Sequence, residues 1–334
     1  HTSSLSPSGI FDDLVAQQCP KPPTTYHNFR GDLRSQDIFV ESIERNRRKG
    51  EKFRILYPGE NRYDMERMDV WNHDAICSPS LILQPKTTEE IPSLIRGYTS
   101  GIRRCLIENR RNNSNNSTSH KRDIPRLCVA GGKNSLNCMK EGSIVLDLSR
   151  MRGVHVDVKR KVAVVQGGAR VMDVDDVLGR HGLMAVLGCC KNLGVVGCIL
   201  GGGVGYASRK YGLACDNLLS AQVVLGDGRV VDCSAKENSD LFWSLKGGGG
   251  GVGVVASVTL RCYPLRNAAL MTFQLYAPAT RWRKSVLRQW NQWICGDPTT
   301  TTTTAGGMSC VSEEQEDDNS RFSVGALSAG GPVG

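Results

Sequence analysis

The sequence predicts an α+β fold and not an alternating, doubly wound one, and three observations support that prediction. Predicted strands outnumber predicted helices between about residues 68 and 266, and several strands follow one another without a helix between them. Some of these strands alternate apolar and polar residues with period two, as residues 154–158 do. Glycine-rich turns lie between the elements at residues 131–132, 194–205 and 247–253. A chain of 334 residues with 40% hydrophobic content can bury the core of such a fold.

The first predicted unit is a small β-α-β arrangement. Residues 81–83 form a short apolar strand between two prolines, and a helix follows as far as about Arg104. A polar tract at 108–124 reads as an insertion loop. The second strand, residues 126–130, leads into Gly131 and Gly132.

The next elements are mostly strands. Strands are predicted at residues 143–148, 154–158 and 161–166, and a helix from Val171 is expected to end at Gly182. Residues 222–231 read as a hairpin whose Asp-Gly pair suits a tight turn. A short helix at 240–246 and a strand from Val254 complete the pattern. We therefore predict a domain over residues 68–266, with the polar insertion 108–124 inside it.

The two ends of the chain have a different character. Residues 1–67 are mixed in composition and are predicted to be an N-terminal extension. Residues 267–334 begin with a strand and a tryptophan-bearing helix, then pass into a threonine run, an acidic stretch and a glycine-rich end. They read as the start of a second α+β domain that is incomplete, so truncation is expected.

Composition disfavours several classes of protein. The net charge of +9 comes from scattered basic residues, so we expect a solvated surface and no nucleic-acid partner. No apolar run approaches the roughly 18 residues of a membrane-spanning helix. Thirteen cysteines and six histidines form no C-x-x-C or H-x-x-x-H motif, so no metal site is predicted.

The compartment is left open by the sequence. The chain begins with His1, so we expect the native N-terminus to lie outside it. Asn112, Asn115 and Asn116 each begin an N-x-S/T triplet, which is compatible with a secretory route, but a polar loop is the favoured interpretation.

The glycine clusters are the main chemical signal. Residues 248–253 satisfy G-x-G-x-x-G, but a helix precedes them and a strand follows, which is the reverse of a Rossmann site. No P-loop motif occurs. Successive glycine amides can bind phosphate, and three such turns lie within a short stretch together with Asp216 and Asn217. We therefore expect an extended dinucleotide with a pyrophosphate in its middle.

Motifs in a fixed order then identify a resemblance that covers about residues 68–266. They are Ala130-Gly-Gly-Lys-Asn-Ser135, Ile144-Val-Leu-Asp-Leu-Ser-Arg-Met151, Val165-Gln-Gly-Gly-Ala169, Gly188-Cys-Cys-Lys-Asn-Leu-Gly-Val-Val-Gly197, Leu200-Gly-Gly-Gly-Val-Gly205, Lys210-Tyr-Gly-Leu-Ala-Cys-Asp-Asn217, Val224-Leu-Gly-Asp-Gly228 and Asp240-Leu-Phe-Trp-Ser-Leu-Lys-Gly-Gly-Gly249. Together they resemble the two-subdomain, PCMH-type FAD-binding domain of FAD-linked oxidoreductases of the berberine bridge enzyme type, in the vanillyl-alcohol oxidase superfamily. The resemblance implies that residues 267–334 are the start of an incomplete α+β substrate domain.

The resemblance implies a set of cofactor-binding residues. The turn at 131–135 would hold the FAD pyrophosphate, residues 188–197 would run beside the isoalloxazine, and the remaining positions would hold the ribityl, ribose and adenine groups. The implied residues are Gly131, Gly132, Lys133, Asn134, Ser135, Gly188, Cys190, Leu193, Gly194, Gly197, Gly201, Gly202, Gly203, Asp216, Asn217, Gly253, Val254 and Val255.

The sequence departs from the family at the points of covalent attachment. Many members carry a flavin-linked histidine in the first glycine turn, where this chain has Lys133 or Asn134 according to register. Cys190 aligns with the cysteine that forms a second flavin link in bicovalent members, and as a thiolate it would be able to attack the ring. A small apolar role for Cys190 is the alternative, and non-covalent FAD is favoured.

The family chemistry implies an FAD-dependent oxidoreductase. Hydride would pass to the flavin from a C–H beside an alcohol or amine of a sugar, alcohol or alkaloid-like substrate, with dioxygen or another acceptor reoxidising it. Leu193 lies where a larger side chain obstructs dioxygen, which favours a dehydrogenase slightly over an oxidase. No residue is nominated as catalytic base. A non-catalytic FAD-binding remnant, or truncated gene product, and an NADPH-dependent flavin reductase on the same fold are the alternatives.

Overall fold

A computed structural model describes residues 33–114 and 124–265 of the chain, and the statements below concern those residues. It has two sheets with helices packed on them, so the predicted α+β class is confirmed. The predicted substrate domain, residues 267–334, lies outside the described residues, as do residues 1–32 of the predicted N-terminal extension. The domain boundaries stay predictions.

The first sheet has four strands in the order β1-β2-β4-β3. They are β1 (Arg54–Leu56), β2 (Leu81–Gln84), β3 (Leu127–Ala130) and β4 (Ile144–Asp147). Strands β2 and β3 both run parallel to β4, which lies between them, and β1 is antiparallel to β2. The β-α-β unit expected at this point is therefore present, and part of the predicted N-terminal extension adds a strand to its sheet.

Three helices accompany this sheet: α1 (Leu33–Asn46), α2 (Asn61–Met68) and α3 (Ile91–Ser114). Helices α1 and α3 can lie close together because α3 presents glycine where they meet. A Cβ atom on Gly101 would be 2.5 Å from the ring of Phe39, and one on Gly97 would be 2.6 Å from Cα of Ile43. Phe39 and Ile43 are fully buried as a result.

Helix α3 is longer than the sequence predicted. Its expected end near Arg104, with a loop from residue 108, is wrong, because the helix continues to Ser114. Residues 105–111 contain leucine, glutamate and arginine, all good helix formers, so local propensity carries the helix into the polar tract.

The second sheet has the order β5-β6-β10-β8-β9, and β7 pairs with the far end of β10. Its strands are β5 (Val154–Asp157), β6 (Val162–Gln166), β7 (Leu183–Ala185), β8 (Leu218–Val224), β9 (Val230–Ser234) and β10 (Val254–Pro264). All of these pairings are antiparallel. The β8–β9 hairpin turns at Gly228, whose φ of +80° suits the predicted Asp-Gly turn.

Four helices lie along the second sheet. They are α4 (Val171–Gly179), α5 (Val195–Leu200), α6 (Ser208–Tyr211) and α7 (Ser239–Leu245). Helix α7 precedes the 247–253 glycine run and β10 follows it, which is the order that argued against a Rossmann site.

Strand β10 joins the two halves of the described chain. Val254 and Ala256 are buried in the core with α1, α3 and the first sheet, whereas Val255 and Val258 are buried in the core of the second sheet. The pairing with β8 shifts register between Val255 and Ser257. One strand therefore fixes both halves, and the glycine turns gather around its beginning. No helix among residues 33–114 and 124–265 is long and apolar enough to cross a membrane.

Candidate functional site

Two of the predicted glycine turns touch each other. A Cβ atom built on Gly194 would lie 2.5 Å from the backbone nitrogen of Gly132, and one built on Gly132 would overlap the backbone of Gly194. Asn134 strengthens this contact, because its Oδ1 accepts a hydrogen bond of 3.2 Å from the Gly194 N–H. The β3 turn and the start of α5 thus form one surface, which any side chain at either glycine would separate.

The third glycine turn is joined to the same surface. The Gly249 N–H donates to the Leu200 carbonyl at 2.8 Å, which connects the 247–253 run to the end of α5. The Gly167 N–H donates to the Ala256 carbonyl at 2.8 Å, and a Cβ atom on Gly131 would lie 3.0 Å from the Gly167 carbonyl oxygen. The turns at 131–132, 194–205 and 247–253 are therefore linked through a chain of direct backbone contacts.

The loop that follows β3 carries a run of free amides. None of the backbone N–H groups from Gly131 to Leu136 donates to an acceptor within the described parts of the chain. Lys133 has a φ of +58°, so the loop passes through the left-handed region at its centre. Consecutive amides in such a bend can converge on one anion. This donor set fits a pyrophosphate.

The Lys133 side chain does not face the glycine surface. Its ammonium is fully buried and lies 2.8 Å from Glu66 Oε2, 3.2 Å from Asp147 Oδ2 and 3.6 Å from Asp69 Oδ2. Burial alone would lower the pKa of this ammonium, but the charge of Asp147 and the contacts with Glu66 outweigh it and raise the pKa. The Lys133 side chain therefore binds carboxylates inside the protein, and the Asn134 side chain contacts the neighbouring turn.

The pKa of Glu66 moves in the opposite direction. Burial would raise it, but the hydrogen bond from Lys133 and the charge of that residue lower it below its usual value. The contact between Lys133 and Glu66 therefore stabilises the charged form of both side chains.

The segment 188–194, predicted to run beside the isoalloxazine, is fixed by the first turn of α4. The amides of Val171 and Met172 donate to the carbonyls of Leu193 and Lys191 at 2.9 Å each. Cys190 is exposed, as is Cys189, so its thiol is accessible at this surface. Leu193 is half-buried over Gly188, where a Cβ atom would overlap its side chain.

The turn that follows α5 is braced by the chain just before β8. Ala214 and Cys215 donate their amides to the carbonyls of Gly203 and Gly202 at 2.9 Å each. Gly202 and Gly203 have φ of +99° and +76°, so this bend needs glycine. Gly197 and Gly201 are exposed on the same segment.

Asp216 and Asn217 have internal partners. Asp216 Oδ2 accepts from the Leu213 N–H at 2.9 Å. Asn217 is buried, its Nδ2 donates to the carbonyls of Tyr211 and Leu213, and its Oδ1 accepts from the Tyr263 hydroxyl at 2.6 Å. These two side chains shape the bend before β8.

The remaining predicted residues lie at the edges of the surface. Ser135 is exposed, and its hydroxyl accepts from the Asn137 N–H at 3.1 Å. Val254 and Val255 are paired with β8, and their side chains are buried. Gly253 lies just before them, and a Cβ atom there would be 2.7 Å from Val223.

Sequence reasoning did not assign a site role to Gly167 and Gly168. A Cβ atom on Gly167 would lie 2.6 Å from the Val255 carbonyl, and one on Gly168 would overlap the Leu148 carbonyl. They therefore hold the centre of the glycine surface together. A glycine pair directly after an alternating strand was the available signal. No group of three or more metal-ligating side chains is arranged for a metal ion within the described residues.

Comparison with known proteins finds similarity over part of the chain. Residues 117–234 match the family model described as FAD binding domain. The FAD-linked oxidoreductase hasG of Aspergillus fumigatus is 42% identical over 153 residues, which are 45% of this chain and 33% of that protein.

Solved structures agree with this similarity. A crystal structure of 6-hydroxy-D-nicotine oxidase from Arthrobacter nicotinovorans has a TM-score of 0.60 and 28% identity, over 72% of this chain and 49% of that one. Glucooligosaccharide oxidase from Acremonium strictum, described with 6-S-cysteinyl, 8α-N1-histidyl FAD, has a TM-score of 0.55 and 27% identity, over 67% and 42%. The chain thus spans less than half the length of each of these three proteins.

Proposed function

The chain carries the FAD-binding domain of FAD-linked oxidoreductases of the vanillyl-alcohol oxidase and berberine bridge enzyme-like type, and from this premise we propose that it binds FAD on the glycine surface and serves a hydride-transferring oxidoreductase. Bound FAD supplies a two-electron acceptor for a substrate C–H bond. The residues of this chain bind and orient it.

The free amides of the 131–136 loop are the observation that carries the proposal. They lie in a bend with a central φ of +58° and have no acceptor within residues 33–114 and 124–265. Unpaired backbone donors at a packed surface are costly unless a ligand or water accepts from them. A pyrophosphate offers several anionic oxygens in one place, so we assign this loop to the middle of FAD.

The rest of the cofactor would extend in both directions from that loop. The exposed segment at Cys190 would lie beside the flavin ring, and the backbone at Gly253 and Val255 would take the adenosine end. Asp216 and Asn217 would act through the bend they stabilise, because their side chains are engaged within the chain.

Non-covalent attachment is the form of binding we propose. A histidyl link needs a histidine in the 131–135 turn, and the two candidate positions there are Lys133 and Asn134. Three carboxylates hold the Lys133 ammonium, and Asn134 bonds to Gly194. Cys190 is the one predicted residue with an exposed thiol, and a cysteinyl link there is the alternative outcome.

The substrate proposed is a small organic molecule with a C–H beside an alcohol or amine. Named relatives that act on nicotine derivatives and oligosaccharides support this class. Reoxidation would use dioxygen or another acceptor. Leu193 is held against Gly188, so it keeps its bulk at the position assigned to the dioxygen approach, and we favour a dehydrogenase over an oxidase.

A flavin spectrum tests the proposal. The full 334-residue chain would be purified, mixed with FAD, freed of excess ligand and examined for flavin absorbance before and after acid precipitation. We expect stoichiometric flavin that stays in the supernatant after precipitation. Colour in the pellet would show a covalent link, and absence of flavin from the folded chain would reject the proposal. NADPH added without substrate separates the flavin reductase alternative, because only that enzyme would bleach the flavin.

A further inference from the structure

The buried charge cluster around Lys133 lies directly behind the loop of free amides. Its three carboxylates come from different parts of the chain: Glu66 from α2, Asp69 from the residues just after it, and Asp147 from the end of β4. Asp147 and the Lys133 side chain are both fully buried. A lysine is rarely buried so completely unless it is paired, so this arrangement has a specific cause.

Lys133 is fastened through its backbone as well as through its side chain. Its carbonyl accepts from the Trp71 N–H at 3.0 Å, and its ammonium donates to the Glu66 carbonyl at 3.1 Å in addition to the carboxylate. Both ends of the residue are thus bound to the segment 66–71. A non-glycine residue with φ of +58° needs such support, because the left-handed region is unfavourable for a side chain.

The Lys133 ammonium contacts all three carboxylates of the cluster. Around it stand Glu66, Asp69 and Asp147, while Arg170 contacts Asp69 at 2.9 Å and the Gln84 amide donates to Asp147 at 2.9 Å. Other ionisable groups also act on the cluster: Arg62 and Arg150 on Glu66, Arg152 on Asp69, and the Cys138 thiol near Lys133. Without the ammonium, unbalanced carboxylates would stand behind amides that are assigned to an anion.

We propose that Lys133 is a positioning residue for FAD: its buried ammonium neutralises the carboxylates behind the 131–136 loop and holds that loop in the bend that presents its amides to the pyrophosphate. This inference rests on the proposed function. Lys133 lies in the turn that carries a flavin-linked histidine in many family members, yet it acts from the side of the loop that faces away from the glycine surface.

The titration behaviour of the cluster agrees with such a role. The pKa of Lys133 is raised despite its burial, and the pKa of Glu66 is lowered, so both remain charged across the neutral range. The loop of the native protein should therefore bind an anion with little dependence on pH between about pH 6 and about pH 8.

The test compares FAD affinity across pH in Lys133→Met and in the unmodified chain. We expect the variant to bind FAD at least about tenfold more weakly near pH 8, because the uncompensated carboxylates repel the pyrophosphate and the loop loses its anchor. Its affinity should recover in part as the pH falls toward about 5, because Glu66 loses the hydrogen bond and the charge of Lys133 that lower its pKa and takes up a proton, whereas the unmodified chain stays flat. Lys140→Met, an exposed lysine near the same loop, is the matched control and should bind like the unmodified chain.

A double variant keeps the test valid if Lys133→Met does not fold. Lys133→Met with Glu66→Gln removes one charge of each sign, and Asp69 and Asp147 remain without the ammonium, so FAD affinity should again be weaker than native near pH 8. Folding would be followed by circular dichroism without FAD. Native-like affinity that is flat with pH, in whichever folded variant is measured, would overturn the role of Lys133. Failure of the unmodified chain to bind FAD would instead reject the proposed function.

Discussion

Gly132 and Gly194 are in backbone contact although 62 residues separate them, and a Cβ atom on Gly194 would lie 2.5 Å from the nitrogen of Gly132. The first glycine follows the first sheet, and the second precedes α5 on the second sheet. This contact makes the two halves present one continuous glycine surface. Close backbone approach is the reason for glycine at both positions, because neither has a positive φ.

Gly132→Ala should separate the two turns. The added Cβ overlaps the backbone of Gly194, which cannot rotate away as a flexible side chain would. We expect a loss of about 1–3 kcal/mol in the free energy of unfolding, measured by urea denaturation, together with weaker FAD binding. Gly226→Ala is the control, since a Cβ atom there meets nothing within 4 Å. Equal stability of the two variants would contradict the contact.

Asp173 should give the protein an acid-sensitive contribution to stability. Its carboxylate accepts hydrogen bonds from Arg152 at 2.6 and 2.8 Å and from the Arg170 N–H at 2.8 Å. Burial would raise the pKa of Asp173, but the bonds from Arg152 and Arg170 lower it below 3.8. A lowered folded-state pKa stabilises the protein above the unfolded pKa, and this stabilisation is lost as the pH falls through the folded pKa.

Asp173→Asn should therefore cost about 1 kcal/mol near pH 7, because Arg152 is partly exposed and the pair is screened. The difference from the unmodified chain should shrink as the pH falls below about 4. Asp176→Asn changes an exposed carboxylate of the same helix and should show no such convergence. Urea unfolding at several pH values measures both, and a constant difference for Asp173→Asn would rule out the linkage.

Cys190 offers a footprint of the proposed flavin position. Its thiol and that of Cys189 are exposed, so both should react with a maleimide in the chain without FAD. FAD bound beside the 188–194 segment should slow alkylation of Cys190 several-fold, as read by peptide mass mapping. Cys262 is buried and serves as the internal control that reacts in neither state. A Cys190 rate that FAD leaves unchanged would place the flavin elsewhere, and a peptide carrying the flavin mass would show a covalent link.

Local signals predicted most of the fold. The strand at 81–84, the glycine end of β3 and the turn at Gly228 follow from apolar runs and turn residues that act over a few positions. The end of α3 was wrong, because helix propensity in residues 105–111 outweighed the polar character that suggested a loop. Elements that depend on residues close together in the chain can therefore be predicted from a single sequence.

Long-range partners were the part of the site that the sequence did not reveal. Lys133 was identified as a departure from a family position, but nothing near it indicated that Glu66 and Asp147 would surround its ammonium. The sequence shows a glycine at position 167, but the close approach of Gly167 to Val255 depends on how β6 and β10 pair. Such contacts are set by the packing of distant segments, which local patterns do not encode.

Tyr263 tests whether Asn217 serves the fold or touches the cofactor directly. The Tyr263 hydroxyl donates to Asn217 Oδ1 at 2.6 Å, while its ring stacks on Tyr211 with centroids 3.8 Å apart. Tyr263→Phe keeps the stack and leaves the oxygen of a buried amide without its donor. We expect a cost of about 1–2 kcal/mol in unfolding free energy. Tyr206→Phe, at a side chain that is 77% exposed, should cost less than about 0.5 kcal/mol.

The FAD affinity of Tyr263→Phe separates the two roles of Asn217. If Asn217 only shapes the bend before β8, the variant will be less stable but will bind FAD with unchanged affinity, because the amides of Ala214 and Cys215 still hold Gly203 and Gly202. If the Asn217 amide turns toward the cofactor, removal of its internal partner will change FAD affinity as well. The hydrogen bonds that Asn217 makes to Tyr211 and Leu213 fix its side chain independently of Tyr263, so we expect the first result.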